Sequence, residues 1–166
     1  MASTPLTVAA ASRPYPGETT NGDAWQIDWQ GERCRIALID GLGHGPVAAL
    51  AANAAREALG RAPQLLPEPG LRVCHRALAS TRGAAISIAS IDFAEHRLIY
   101  AGVGNVEGDL WQFGRREHLV AYRGIVEAVL PTLRSFSFPL PPEWLVVMHT
   151  DGVRAHFNLQ GLSEAD

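Results

Sequence analysis

Cysteine is scarce in this 166-residue chain. Cys34 and Cys74 fall in a predicted strand and a predicted helix without metal-ligand spacing, which excludes a cysteine-built metal site and leaves both as reduced core residues. Positive charge is neither abundant nor clustered. Fourteen basic against 17 acidic side chains give a net charge of -3, and the basic residues are scattered, so no nucleic-acid partner is expected. Long apolar runs are missing too. No uninterrupted stretch reaches membrane-spanning length, and "MASTPLTVAAASRP" lacks a basic start followed by a sustained apolar core, so the expectation is a soluble, cytoplasmic protein without a membrane partner. There is no internal repeat and no low-complexity tract. What remains, 47% hydrophobic and 19% charged residues, is the composition of one globular domain with a substantial core.

The pattern along the chain is strands, two helices, then strands again. "LTVAAAS", "AWQIDW" and "RCRIALI" read as strands, with "RPYPGETTNG" as a turn-rich break after the first. Residues 46–59 read as a helix, with Pro46 at its first position, Gly60 at its stop, and Val47, Leu50, Ala51, Ala54 and Ala58 on the face expected to pack on a sheet. "RAPQLLPEPG" reads as a proline-marked loop and "LRVCHRALAS" as a shorter helix whose Leu71, Cys74 and Leu78 share a side. "GAAISIASID", "RLIYAGVG", "EGDLWQFG", "EHLVAY", "RSFSFPL" and "WLVVMHT" are short strand-like runs whose spacing favours antiparallel hairpins, and "LQGLSEAD" reads as the start of a last helix. Segregated helices and antiparallel strands predict an α+β layered fold and argue against βαβ repeats.

Three acids stand at strand mouths. In "IALIDGLGHGP" a buried-looking strand, Ile36 to Ile39, stops on Asp40 and runs through a glycine loop straight into the first helix. "LVVMHTDGV" repeats that logic, ending at Asp151 and Gly152, and Asp23 follows the Asn21-Gly22 turn just before "AWQIDW". Each Asp-Gly also suits a plain turn. If the strands are neighbours, their carboxylates meet at one sheet edge, where mutual repulsion is costly without a cation to offset it. Magnesium or manganese, which take oxygen ligands and retain waters, would resolve that conflict. A neighbouring glycine lets a carbonyl or the substrate approach closely. His44 reads either as a metal ligand or phosphate contact or as a merely polar loop residue, and His149 has the same two readings. Glu107 and Asp109, flanking Gly108, read as solvated.

"NGDAW", "IDGLGHGP" and "MHTDGV" together resemble, in order and approximate spacing, the metal motifs of the PPM (PP2C-like) serine/threonine phosphatases, and "YAGVGNVEG" is similar to the SpoIIE/RsbU/RsbX branch, the resemblance running over residues 10–155. It implies a four-layer αββα sandwich: two antiparallel sheets face to face, flanked by helices. It also implies a site for two divalent cations, Mn2+ or Mg2+, sharing a water that attacks the phosphorus. Asp40 would bridge the ions, Asp23 and the Gly41 carbonyl would join one of them, and Asp151 would hold the other. Gly43, His44 and Gly152 would be loop or substrate contacts. The substrates implied are phosphorylated STAS-domain proteins of a stressosome, dephosphorylated as feedback control of stress signalling by a monomeric enzyme. Relatives carry a further aspartate in an Asp-Asp-x-Thr-like run, absent from "GLSEAD", so the expectation is one domain over 1–166 lacking its C-terminal helix or strand. Glu127 stands where relatives tend to have glycine. A catalytically weak domain that binds phosphorylated regulators without turnover is the alternative. A phosphohydrolase with an aspartyl nucleophile would need a D-x-D strand end and alternating βα units, which "IDGLG" and its surroundings do not supply.

Overall fold

The computed structural model describes residues 6–126, 130 and 132–153. Strands β1 (Asp23–Gln30) and β2 (Arg33–Gly41) form a hairpin, followed by helices α1 (Gly45–Gly60) and α2 (Pro67–Ala77). Then come β3 (Ala84–Asp92), β4 (Arg97–Val103), β5 (Glu107–Gln112), β6 (Arg115–Leu119), β7 (Phe136–Pro139) and β8 (Trp144–His149). All pairings within the two sheets are antiparallel: β1-β2-β3-β4-β7 in one and β6-β5-β8 in the other. Local chemistry sets the reversals. The β5–β6 turn has positive φ at both central residues, Phe113 and Gly114, the backbone that matches the strand twist of a two-residue hairpin.

The larger sheet carries apolar side chains on both faces, and its central β3 is buried at every position. Ala37, Ile39, Ile86, Ile88, Ala101 and Val103 face the helices, meeting Ala51, Ala52, Ala55, Leu59, Leu71, Cys74 and Leu78. The alternate positions Ala89, Ile91, Leu98 and Tyr100 face the smaller sheet and its Leu110 and Leu119. The order of layers is therefore helices, sheet, sheet. Among the described residues no helix covers the outer face of the smaller sheet, so they supply three of the four expected layers. The predicted last helix and Glu127 lie outside the described residues.

The inward face of α1 is only partly the one predicted, since Ala51, Ala54 and Ala58 pack as expected but Val47 and Leu50 do not. Ala48, Ala51, Ala52, Ala55 and Leu59 point at the sheet, while Val47 and Leu50 are 48% and 63% exposed. Close approach is the cause. A Cβ on Gly41 would lie 2.0 Å from the Ala48 carbonyl oxygen, and one on Gly22 would lie 2.8 Å from the Ala48 Cβ. The start of α1 rides so low over the sheet that only glycine beneath and alanine above fit, and the bulkier residues are turned outward. Three other readings also change. Residues 6–12 join no ladder and instead line an apolar cleft of about 560 Å³ between the sheets, with Trp25, Ile36 and Val146. Helix α2 begins inside the supposed loop, because Pro67 stands in its first turn, where a missing N–H costs nothing. Asp109 is buried, not solvated: its carboxylate accepts from Arg116 Nη2 at 2.7 Å and meets His118 Nδ1 at 3.2 Å on β6. Burial pushes its pKa up, but those two partners outweigh it and hold the group below its usual range. Cys34 and Cys74 are free and buried, as expected.

Candidate metal centre

The β1–β2 register makes Asp23 and Asp40 direct cross-strand partners at one end of the larger sheet. Both strands alternate so that these acids share the face of Trp25, Ile27, Ile36 and Leu38, the face that lines the inter-sheet cleft. The turn before β1 is held by the Asp23 N–H donating to Asn21 Oδ1 at 3.0 Å. The end of β2 is held by the Gly41 N–H donating to the Gly22 carbonyl, also at 3.0 Å. Asp40 ends its strand at a backbone fixed on both sides.

The second sheet reaches the same place through the end of β8. Thr150, buried, donates its hydroxyl to Asp23 Oδ2 at 2.9 Å, a bond between residues 127 apart in sequence. Asp151 is exposed, and its Oδ2 accepts from Asn105 Nδ2 at 3.4 Å. Burial pushes the Asp40 carboxyl from 3.8 up to about 7, with the charges of Asp23 and Asp151 and a hydrogen bond to Asp23 pushing the same way. Asp23 is also raised by burial, against the opposing Thr150 hydrogen bond. Both carboxyls are thus disfavoured as anions, and Asp151 is near enough for its charge to be felt by both.

The structure therefore brings Asp23 and Asp40 into contact and Asp151 into electrostatic range. Among the described residues no three His, Cys, Asp or Glu side chains are arranged to hold a metal ion. The donor chemistry still fits a hard divalent cation. Two facing carboxylates that burial and mutual repulsion disfavour as anions offer oxygen ligands and a negative charge that such a cation offsets. His44 is engaged elsewhere, its Nδ1 2.7 Å from Glu18 Oε1 and its ring stacked on Tyr15 at 5.0 Å, which ties the N-terminal loop to the glycine loop. Gly43 adopts φ +100 within that loop, and Gly152 is exposed beside Thr150. His149 is buried and its Nδ1 lies 3.1 Å from the Thr150 carbonyl oxygen.

Sequence reasoning missed Thr150 and Asn105. Both lie inside motifs it had quoted, yet nothing local marks a threonine or an asparagine whose partner is on another strand. Thr150→Val keeps the shape and removes the donor, so the metal-free variant should lose about 1–2 kcal/mol in denaturant unfolding. The loss should shrink when Asp23 is already asparagine; an unchanged midpoint would mean that the bond does not join the sheets.

Two antiparallel sheets face to face, helices on one of them and an acid pair at one end define a PP2C-like phosphatase fold. The chain belongs to the SpoIIE family, whose model, described as Stage II sporulation protein E, matches residues 30–162. RsbX of Bacillus subtilis strain 168, described as a phosphoserine phosphatase, is 29% identical over 90 residues. That match covers 54% of this chain and 45% of RsbX, so the chain spans less than half the length of that relative. A solved chain from work on the bacterial stressosome, as a modular system adapted to control secondary messenger signalling, matches with TM-score 0.86 and 27% identity, over 92% of this chain and 80% of that one. RsbX in complex with magnesium matches in fold with TM-score 0.80 and 23% identity, over 86% and 72%. Among the described residues no helix is long and apolar enough to cross a membrane.

Proposed function

We propose that this chain is a divalent-metal-dependent phosphoserine/phosphothreonine protein phosphatase acting on phosphorylated STAS-domain proteins of a stressosome. The observation that carries the reading is the Asp23–Asp40 cross-strand pair, two acids held together at a sheet end where a cation would offset their repulsion. Asp40 would bridge two ions, with Asp23 and the Gly41 carbonyl on one and Asp151 on the other. When bound, Mn2+ or Mg2+ supplies an activated water and neutralises phosphate charge. The protein's own residues bind and orient. Thr150 holds the Asp23 carboxylate, Asn105 meets Asp151, and Trp25, Ile27 and Leu38 line the cleft on the same face as the pair. Support for the reaction comes from the phosphoserine phosphatase RsbX and its magnesium complex, and for the partners from the stressosome chain.

A second reading, capture of phosphorylated regulators without turnover, is favoured by the lack of a three-ligand set among the described residues. One experiment separates the two. Phosphate release from a phosphorylated STAS-domain protein should require added Mn2+ or Mg2+ and stop with chelator. Equal release in chelator would overturn the metal assignment, and binding of the phosphoprotein with no release would favour the second reading.

A further inference from the structure

Arg82 stands against the glycine loop that follows Asp40, and among the described residues its guanidinium has no partner. The register pairing Asp40 with Ala85 and Gly41 with Ala84 continues into the loops, where the Leu42 N–H donates to the Gly83 carbonyl at 3.0 Å. The backbone around Arg82 is pinned on its other side as well. Thr81 donates its hydroxyl to the Leu78 carbonyl at 2.8 Å and accepts the Gly83 N–H at 3.0 Å. Arg82 is thereby carried alongside Gly43, and its Nη1 lies 3.6 Å from the place a Cβ on Gly43 would take. Gly43 has φ +100, so a side chain there would be strained, and it would touch the guanidinium.

Among the described residues five other arginines are paired, while several, Arg56 and Arg76 among them, are not. Arg33, Arg35, Arg61, Arg72 and Arg116 each hold a carboxylate, whereas among the described residues Arg82 makes no ion pair or hydrogen bond and is exposed. An exposed guanidinium on a pinned backbone, beside the glycine loop that follows Asp40, is placed for an anion arriving from solvent. A guanidinium forks two N–H donors onto two oxygens of one phosphate, which a lysine ammonium does not reproduce. We propose that Arg82 binds the substrate's phosphate, forking onto oxygens that do not react, and so sets the preference for phosphorylated side chains. This inference rests on the phosphatase reading of the Asp23–Asp40 site.

The test uses Mn2+-loaded wild type, Arg82→Ala and Arg82→Lys, with a phosphoserine peptide, p-nitrophenyl phosphate and inorganic phosphate as probes. Arg82→Ala should lower kcat/KM for both substrates by about tenfold to a hundredfold, mostly through KM, as expected for loss of a hydrogen bond to a charged group. It should weaken inhibition by inorganic phosphate by a similar factor, with Arg82→Lys recovering only part. Melting temperature and Mn2+ binding by calorimetry should stay at the wild-type values. If Arg82→Ala harms only the peptide and leaves p-nitrophenyl phosphate and phosphate inhibition unchanged, the residue reads the peptide chain and the proposal fails. Unchanged kinetics with all three probes would overturn it too. A wild type that turns nothing over would remove the phosphatase reading instead. Arg82 would then be judged by inorganic phosphate binding to the Mn2+-loaded proteins, where equal affinity for wild type and Arg82→Ala overturns the proposal and weaker binding by the variant supports it.

Discussion

Asp40→Asn should lower metal-dependent phosphatase activity at least about a hundredfold, the scale on which one main electrostatic contributor acts. Asp40 is the acid proposed to face both ions, and the amide keeps its volume while removing one negative charge and half of its strong acceptor capacity. The fold should survive, because β2 is held by its ladder and by the Gly41–Gly22 bond and does not depend on the carboxylate. In metal-free protein the substitution removes a group that burial and two neighbouring acids disfavour as an anion. The apo variant should therefore melt no lower than apo wild type, while losing most of the stabilisation that Mn2+ confers on wild type. An apo variant that unfolds while the remaining folded fraction binds Mn2+ normally would make Asp40 a turn residue and nothing more.

The same group predicts a pH signature for chelated wild type. In the folded chain the Asp40 carboxyl titrates at about 7, against an ordinary 3.8. Between those values the folded state holds a proton that the unfolded state has released, so stability falls as pH rises through that window. The contribution is complete below the unfolded value and gone above the folded one. Apo wild type should melt at progressively lower temperature from acid to neutral pH, and Asp40→Asn should flatten that slope. A cation should flatten it as well, by taking the proton's place between Asp23 and Asp40.

What could be read from sequence and what could not divide along the range of the interactions. Asp40 was legible because an apolar strand that stops on an acid and a glycine loop is a local contradiction, and Asp151 repeats it. Leu71, Cys74 and Leu78 were legible because a helix repeat is local too. The packing face of α1 was legible only in part. Val47 and Leu50 are the more hydrophobic residues, but the choice is made by clearance over Gly22 and Gly41, which lie on elements whose height beneath the helix no pattern in residues 46–59 encodes. Asp109 looked solvated beside glycine, yet its partners Arg116 and His118 arrive only when β6 pairs with β5. "LTVAAAS" alternates like a strand but lies along the inter-sheet cleft outside any ladder. Thr150 finds Asp23 only once the two sheets are stacked. Motif resemblance recovered the acids and the fold for the same reason that it bypassed these contacts: it carries positions, not the packing that supports them.

The largest effect on stability should come from Arg35, at the opposite end of β1 and β2 from the acids. Its side chain is 2% exposed. Nε and Nη2 donate to Asp28 Oδ2 at 3.2 and 2.5 Å, Nη1 donates to the carbonyls of Ala62 and Leu65, and Nη2 to that of Leu59 at 2.7 Å. Asp28 is its cross-strand partner, and the other Asp28 oxygen accepts from Gln26 Nε2 at 2.8 Å. One guanidinium thus closes the C-terminal end of α1 and the turn after it onto the β1–β2 hairpin. Arg35→Ala would strand a nearly buried carboxylate and take a donor from three carbonyls, of which those of Leu59 and Ala62 keep a backbone N–H, and should cost about 3–5 kcal/mol, the range for breaking a buried pair from one side. That is a large share of a stability of about 5–15 kcal/mol. Arg35→Lys should recover only part, since an ammonium cannot span Asp28 and the carbonyls in the same fork. Asp28→Asn in the Arg35→Ala background should also recover only part, because the guanidinium's bonds to the helix end stay lost. Cysteine labelling gives an independent readout. Burial pushes the Cys34 thiol up to about 11 and the Cys74 thiol up to about 12, so neither should be modified in folded protein, and labelling should accelerate as Arg35→Ala opens the helix from the sheet. Because the acids sit at the other end of the strands, the folded fraction of Arg35→Ala should keep wild-type turnover per molecule. A loss of activity in fully folded variant, with labelling unchanged, would mean that Arg35 acts on the site and not on the seam between α1 and the hairpin.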